Sequence, residues 1–303
     1  MLAPDELRQK LSGVIAFPIT PFKQDDLSLD IDGYRTNVAE MLNYDLCALV
    51  AAGGTGELYS LTPDEITKVV EATVAEAGGK MPVIAGVGFG GGMSVELAKS
   101  AEKAGADGIL MFPPYYPNAD FEGLLDYYKK IGEATGLGLF VYSRDWVNLT
   151  ATQVARMADE IPNLIAFKEG QADIRNYQRI MARCGDRLHW IGGNGDDMVP
   201  GYYSIGVRTY TSSIATVAPR LSLQLHERAS MLDMSQLSRL MTNYVLPLYA
   251  LRARRKGYEV TVMKEAMNLL GKVGGVVRPP LPQIRPGELE EIEKLMKAYE
   301  PVL

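Results

Sequence analysis

The sequence predicts a (β/α)8 TIM barrel carrying a C-terminal helical extension, and three observations lead there. Eight short apolar, β-branched runs recur along the chain, with amphipathic stretches of helical length between them. Within the runs apolarity is continuous rather than alternating, so both faces of each strand are covered, as in a parallel sheet flanked by helices. After about Ala215 the runs stop and only helical patterns follow. Eight βα units is the count of a closed barrel. An open doubly wound sheet is the competing architecture.

In chain order the expected strands are 14–19, 46–52, 82–87, 108–112, 138–142, 164–168, 188–192 and 207–211. The clearest helices between them are 29–42, 64–77, 95–104, 121–133 and 150–160. Thr62-Pro63-Asp64-Glu65 places a capping threonine before proline at the first helical position, with acids in the first turn. Thr150-Ala151-Thr152-Gln153 has capping-box spacing. Gly105 and Gly136 stand where helices should stop. Beyond the barrel the expected helices are 221–232, 236–252, 260–270 and 286–299, interrupted by the extended segment Val276-Val277-Arg278-Pro279-Pro280-Leu281-Pro282. The expected division is a barrel over residues 1–225, carrying the active site, and an extension over 226–303 packed on it.

Composition narrows the function. With 303 residues, 47% hydrophobic, 22% charged and a net charge of −6, the chain reads as a globular protein with no nucleic-acid partner. Its one basic cluster, Arg252, Arg254, Arg255 and Lys256, reads as a solvated helix end. Cys47 and Cys184 are far apart in sequence and lack paired spacing, so neither a disulfide framework nor a zinc site is expected. His189 and His226 are the only histidines, which leaves little material for a histidine metal site or a Ser-His-Asp triad. No signal-like segment or membrane-spanning run is apparent, so a cytoplasmic protein without a membrane partner is expected.

The position that calls for a chemical reason is Lys168, at the end of the buried run Leu164-Ile165-Ala166-Phe167-Lys168. An ammonium in apolar surroundings loses hydration, which favours the neutral, nucleophilic amine. Two readings fit: a Schiff-base lysine, or a lysine whose buried stem lets its head snorkel to the strand end. The other thirteen lysines lie on stretches that read as solvated helix faces or loops. In a barrel the strand ends share one mouth. Tyr142, ending the fifth strand, is then a candidate proton relay beside Lys168, or simply an amphipathic strand-end residue. Gly53-Gly54-Thr55-Gly56-Glu57 follows the second strand; its amides and the Thr55 hydroxyl suit a carboxylate next to a reacting carbonyl, although glycine turns there also arise for steric reasons.

Other loops converge on the same mouth. Gly192-Gly193-Asn194-Gly195-Asp196-Asp197 and Thr209-Tyr210-Thr211-Ser212-Ser213 supply polar groups, with Asn194, Thr211 and Ser213 as candidates for substrate hydroxyls or a distal carboxylate. Asp196 and Asp197 read as caps of the next helix rather than metal ligands. Pro113-Pro114-Tyr115-Tyr116-Pro117 either walls the pocket, making Tyr115 a substrate contact, or reaches a neighbouring subunit. Gly86-Val87-Gly88-Phe89-Gly90-Gly91 formally matches a dinucleotide-binding fingerprint, but it falls on the third βα unit and a wide barrel loop explains it more simply.

Taken together, the Gly53–Glu57 loop, Tyr142 and Lys168 resemble, in order and spacing and over essentially the whole chain, the dihydrodipicolinate synthase/N-acetylneuraminate lyase superfamily of Schiff-base aldolases and dehydratases. The resemblance implies that Lys168 forms an imine with a 2-keto acid, that Tyr142 shuttles a proton, and that Gly54 with Thr55 hold the carboxylate. Gly54 replaces the first of two threonines usual in the lysine-biosynthetic branch, and Val147 falls where that branch has an arginine. The strings Val141-Tyr142-Ser143-Arg144-Asp145, Phe167-Lys168-Glu169-Gly170 and Val277-Arg278-Pro279-Pro280-Leu281 are instead similar to those of dehydratases acting on keto-deoxy sugar acids, with Ser143 where asparagine is usual. The resemblance thus implies a 2-keto sugar-acid substrate that loses water and CO2, with no metal or organic cofactor because the lysine supplies the electron sink. It also implies a homo-oligomer, a tetramer built as a dimer of dimers. An aldolase releasing pyruvate, a nicotinamide oxidoreductase resting on Gly86–Gly91, and a non-catalytic keto-acid sensor are the alternatives.

Overall fold

Eight parallel strands pair in sequence order, and the first closes on the last, so the expected barrel is the architecture of the computed structural model, which describes residues 1–303. The strands are β1 (Gly13–Ala16), β2 (Ala48–Ala51), β3 (Val83–Phe89), β4 (Gly108–Pro114), β5 (Gly138–Ser143), β6 (Leu164–Glu169), β7 (His189–Gly192) and β8 (Thr209–Ser212). Most strand residues are buried, as continuous apolarity requires when helices cover one face and side chains fill the barrel on the other.

The helices around the barrel are α1 (Pro4–Lys10), α2 (Ile31–Met41), α3 (Pro63–Ala77), α4 (Gly91–Lys103), α5 (Phe121–Glu133), α6 (Ala151–Glu160), α7 (Ile174–Cys184), α8 (Val199–Ser204) and α9 (Pro219–Ser230). The expected capping threonine at 62 and the expected capping box at 150 both form, and Thr62 closes a capping box as well. Thr62 Oγ1 accepts the Glu65 amide at 3.2 Å while the Glu65 carboxylate accepts the Thr62 amide at 2.9 Å, and Thr150 and Gln153 exchange the same pair of bonds at 3.4 and 2.8 Å. The glycine run after β3 is not a wide loop. β3 continues to Phe89, Gly90 caps α4, and the helix begins at Gly91.

The expected division after residue 225 falls inside α9. Beyond it come α10 (Met234–Leu240), a π-helical turn over Met241–Val245, α11 (Leu246–Arg252), α12 (Tyr258–Leu269) and α13 (Pro286–Tyr299). The π turn ends two residues before Pro247, whose ring nitrogen cannot donate to the preceding turn, and one extra residue per turn accommodates that gap. A single hydrophobic cluster runs from Leu7 through the barrel to Ile292 and Val302, so the extension is packed on the barrel. No helix is long and apolar enough to cross a membrane.

One feature of this packing escapes the sequence. Lys264 of α12 is not on a solvated face: it is 1% exposed and pairs at 2.5 Å with Glu57, itself fully buried. Its Nζ also donates to the Val276 carbonyl at 2.6 Å and lies 4.3 Å from the centre of the Phe22 ring. Burial pulls the Lys264 pKa down to about 8, with Glu57 opposing the shift. Nearby, Arg278 of the extended segment makes a bidentate pair with Glu65 at 2.7 Å and donates to the Leu27 and Ser60 carbonyls. The loop after β2 is thereby tied to the C-terminal extension.

Removing one partner of a buried pair strands a charge, at a cost of about 3–5 kcal/mol. Lys264→Met should lower unfolding stability by that amount in urea titrations, and the double variant Glu57→Leu/Lys264→Met should be more stable than Lys264→Met alone.

Candidate active site

β5 and β6 are neighbours, and their register sets Tyr142 directly beside Lys168. The two side chains converge on one acceptor. The Gly193 carbonyl takes the Tyr142 hydroxyl at 3.0 Å and Lys168 Nζ at 3.1 Å. Residue 193 has to be glycine, because a Cβ there would stand 2.5 Å from Lys168 Cγ and 2.4 Å from the Glu169 carbonyl oxygen.

Lys168 is 3% exposed. Its Nζ lies 3.2 Å from the centre of the Tyr142 ring and 5.2 Å from that of Phe17. The adjacent Glu169 does not serve as counter-ion; its carboxylate accepts from the Tyr202 hydroxyl at 2.8 Å and from the Gln171 and Asp173 amides at 2.7 and 3.3 Å. Burial therefore drives the Lys168 pKa well below the ordinary lysine value, and the Arg144 guanidinium pushes the same way against a lesser pull from Glu169. Burial also raises the Tyr142 pKa, so the phenol rests protonated.

A cavity of about 430 Å³ opens over these groups. Gly54, Thr55, Asn194, Thr211 and Ser213 all line it together with Lys168 and Tyr142. The amides of Gly54 and Thr55 make no hydrogen bond within the protein, which leaves them free to receive an anion. Tyr115 is not brought in. Its amide donates to the Phe89 carbonyl at 3.2 Å, holding the loop against the end of β3, and its side chain is 86% exposed.

Two further readings need correction. Asp196 does not cap a helix: it is fully buried and accepts from the Ser212 hydroxyl, the Tyr249 hydroxyl at 3.0 Å, and the Ser213 and Ile214 amides at 3.3 and 3.4 Å. Burial raises its pKa, with these donors pulling the other way. The fingerprint glycines serve packing. A Cβ on Gly86 would stand 2.1 Å from the Ala52 carbonyl oxygen, and one on Gly88 would stand 3.0 Å from Phe112 Cβ.

The cavity also contains residues that sequence reasoning had not placed there. Arg144 follows Tyr142 by two positions, stands 5.2 Å from the centre of its ring and pairs with Asp145 at 2.7 Å. Its place just past a strand end is a signal that barrel geometry makes readable. Tyr249, Arg252 and Glu259 come from the extension. Arg252 is thus no part of a solvated helix end; its guanidinium lies 4.3 Å from the centre of the Tyr249 ring.

A model of the "Dihydrodipicolinate synthetase family" matches residues 10–299. A relative from Saccharopolyspora erythraea, named "Probable 5-dehydro-4-deoxyglucarate dehydratase", is 41% identical over 298 residues, spanning 97% of this chain and 96% of its own. One of the same name from Rhizobium rhizogenes is 40% identical, spanning 97% and 98%. The crystal structure of dihydrodipicolinate synthase from Oceanobacillus iheyensis superposes with a TM-score of 0.92 at 28% identity, covering 98% of this chain and 99% of that one. With a family match over nearly its full length and the same barrel in its relatives, the chain belongs to the dihydrodipicolinate synthetase family.

Proposed function

We propose that the protein is a Schiff-base dehydratase converting 5-dehydro-4-deoxyglucarate to 2,5-dioxopentanoate, water and CO2. The observation that carries the reading is the buried amine of Lys168, whose surroundings favour its neutral form and which opens onto a polar cavity. The names of relatives about 40% identical over nearly the whole chain support the choice of substrate.

In this mechanism the Gly54 and Thr55 amides receive the carboxylate beside the keto group, and Lys168 Nζ attacks the keto carbon with loss of water. The iminium acidifies the neighbouring methylene. Tyr142, or a water it orients, carries the proton away, and the adjacent hydroxyl leaves as water to give a conjugated iminium. Because the phenol rests protonated, Tyr142 acts as a relay that takes up one proton as it passes on another. The bond to the distal carboxylate then breaks, CO2 departs, and its electron pair flows through the conjugated system to the imine nitrogen. Protonation and hydrolysis return the lysine and release the semialdehyde. Thr211, Ser213 and Asn194 supply contacts for the substrate hydroxyls. The reading carries with it a cytoplasmic homotetramer, in keeping with the family resemblance and with two unpaired cysteines.

Borohydride reduction in the presence of a 2-keto acid should leave a single adduct on Lys168 by mass spectrometry; an unmodified Lys168 would overturn the mechanism. Lys168→Ala should abolish CO2 and semialdehyde formation with the fold retained by circular dichroism. Tyr142→Phe should slow turnover by a factor of about 10², and near-normal turnover would remove Tyr142 from the relay.

The pH profile offers an independent check. Protonated Lys168 is not a nucleophile, so kcat/KM should fall as pH drops through its depressed pKa. Arg144→Gln removes a charge that helps to depress that pKa and should move the acid limb to higher pH. A limb that stays in place would show that Arg144 does not act on the amine.

A further inference from the structure

We propose that Arg252 is the recognition group for the substrate carboxylate remote from the keto group, an inference that rests on the Schiff-base reading above. Arg252 ends α11 and lines the cavity. Its Nε and Nη1 are buried and have no hydrogen-bond partner, and it belongs to no ion pair. A guanidinium carries five donors in a rigid fork, and burying them unpaired costs free energy unless something arrives to accept them. Of the other arginines nearby, Arg278 is committed to Glu65, while Arg144 pairs only through its Nε with Asp145 and turns its Nη1 toward Gly54, at the keto-acid end of the cavity.

The surroundings hold the fork ready. The guanidinium stacks over Tyr249, whose hydroxyl donates to Asp196 Oδ2 at 3.0 Å and accepts the Asp196 amide at 2.7 Å, so the ring beneath it is fixed. The Asp196 carboxylate takes its hydrogen bonds from Ser212, Tyr249 and two amides; Arg252 lies close enough for its charge to favour the carboxylate but makes no direct bond to it. Asp197, whose Oδ1 is likewise buried without a partner, forms no ion pair with it. Asn194, Gly195 and Ser213 line the same cavity, where hydroxyls of an extended substrate would pass. The free amides of Gly54 and Thr55 and the free fork of Arg252 are then two separate anion receptors serving one amine, which suits a 2-keto dicarboxylate over a 2-keto monocarboxylate.

The test is borohydride trapping on Lys168 with two probes, pyruvate, which has no distal carboxylate, and 2-oxoadipate, a six-carbon chain with a carboxylate at each end. The protein should be half-trapped at a much lower concentration of 2-oxoadipate than of pyruvate. Arg252→Gln should reduce that preference by about 10- to 100-fold, the range of one or two charge-assisted hydrogen bonds, and Arg252→Lys should retain part of it. Should Arg252→Gln fail to fold by circular dichroism, the Arg252→Lys preference, expected between those of the unmodified protein and pyruvate-like indifference, decides the matter. A preference within about twofold of the unmodified protein in the folded variants would overturn the assignment of Arg252 while leaving the Schiff-base chemistry standing. Absence of trapping with both probes on the unmodified protein would overturn the Schiff-base reading and this inference with it.

Discussion

The mouth of the barrel is organised around the dehydration of one ammonium. Lys168 loses its water to Phe17, Tyr142 and the strand behind it, and the neighbouring carboxylate that could have kept it charged is turned away and satisfied by Tyr202 and two amides. What remains for the amine is a single carbonyl, that of Gly193, which it shares with the Tyr142 hydroxyl. This arrangement requires the β5–β6 register, a residue without a side chain at 193, and a Glu169 held by partners of its own. A buried lysine with a salt-bridge partner would stay charged; this one has none, and its surroundings favour the neutral amine.

The C-terminal extension is joined to the barrel mouth by two routes. Glu57 and Lys264 join the glycine turn to α12 through a buried pair, and Arg278 clamps Glu65 at the start of the following helix. From the other side, Asp196 links the end of β8 to Tyr249 of α11. The cavity wall is accordingly drawn from both parts of the chain, barrel strands supplying Lys168 and Tyr142 and the extension supplying Tyr249, Arg252 and Glu259. Barrel and extension share one hydrophobic core, so neither would be expected to hold the site alone.

Much of this was legible in the sequence, and the exceptions have physical causes. Most of the strands announce themselves because a strand covered on both faces is largely apolar; β8, Thr209–Ser212, is buried yet polar. Lys168 stands out for the same reason, as a charge where that rule forbids one. Lys264 does not, since on a helix a single polar residue among apolar ones is indistinguishable from the solvated stripe until the partner, Glu57, is brought from more than two hundred residues away. Arg252 was masked by Arg254, Arg255 and Lys256, which make a basic helix end of a segment whose first member points inward. Asp196 resembled a cap because aspartate after glycine before a helix usually is one, and only the fold reveals the four donors gathered on it. Tyr115 follows a strand end in sequence, but β4 extends to Pro114 and the side chain stands exposed outside the cavity of this chain.

The π turn at Met241–Val245 governs where that arginine points. Each residue of an α-helix advances the side-chain direction by about 100°, so the surplus residue acts as an angular offset applied to everything that follows it in the rod. Tyr249 and Arg252 inherit the offset together, which keeps the stacked pair intact while choosing which way it looks. Shortening the segment by one residue would rotate the pair away from the cavity without altering a single side chain that touches it.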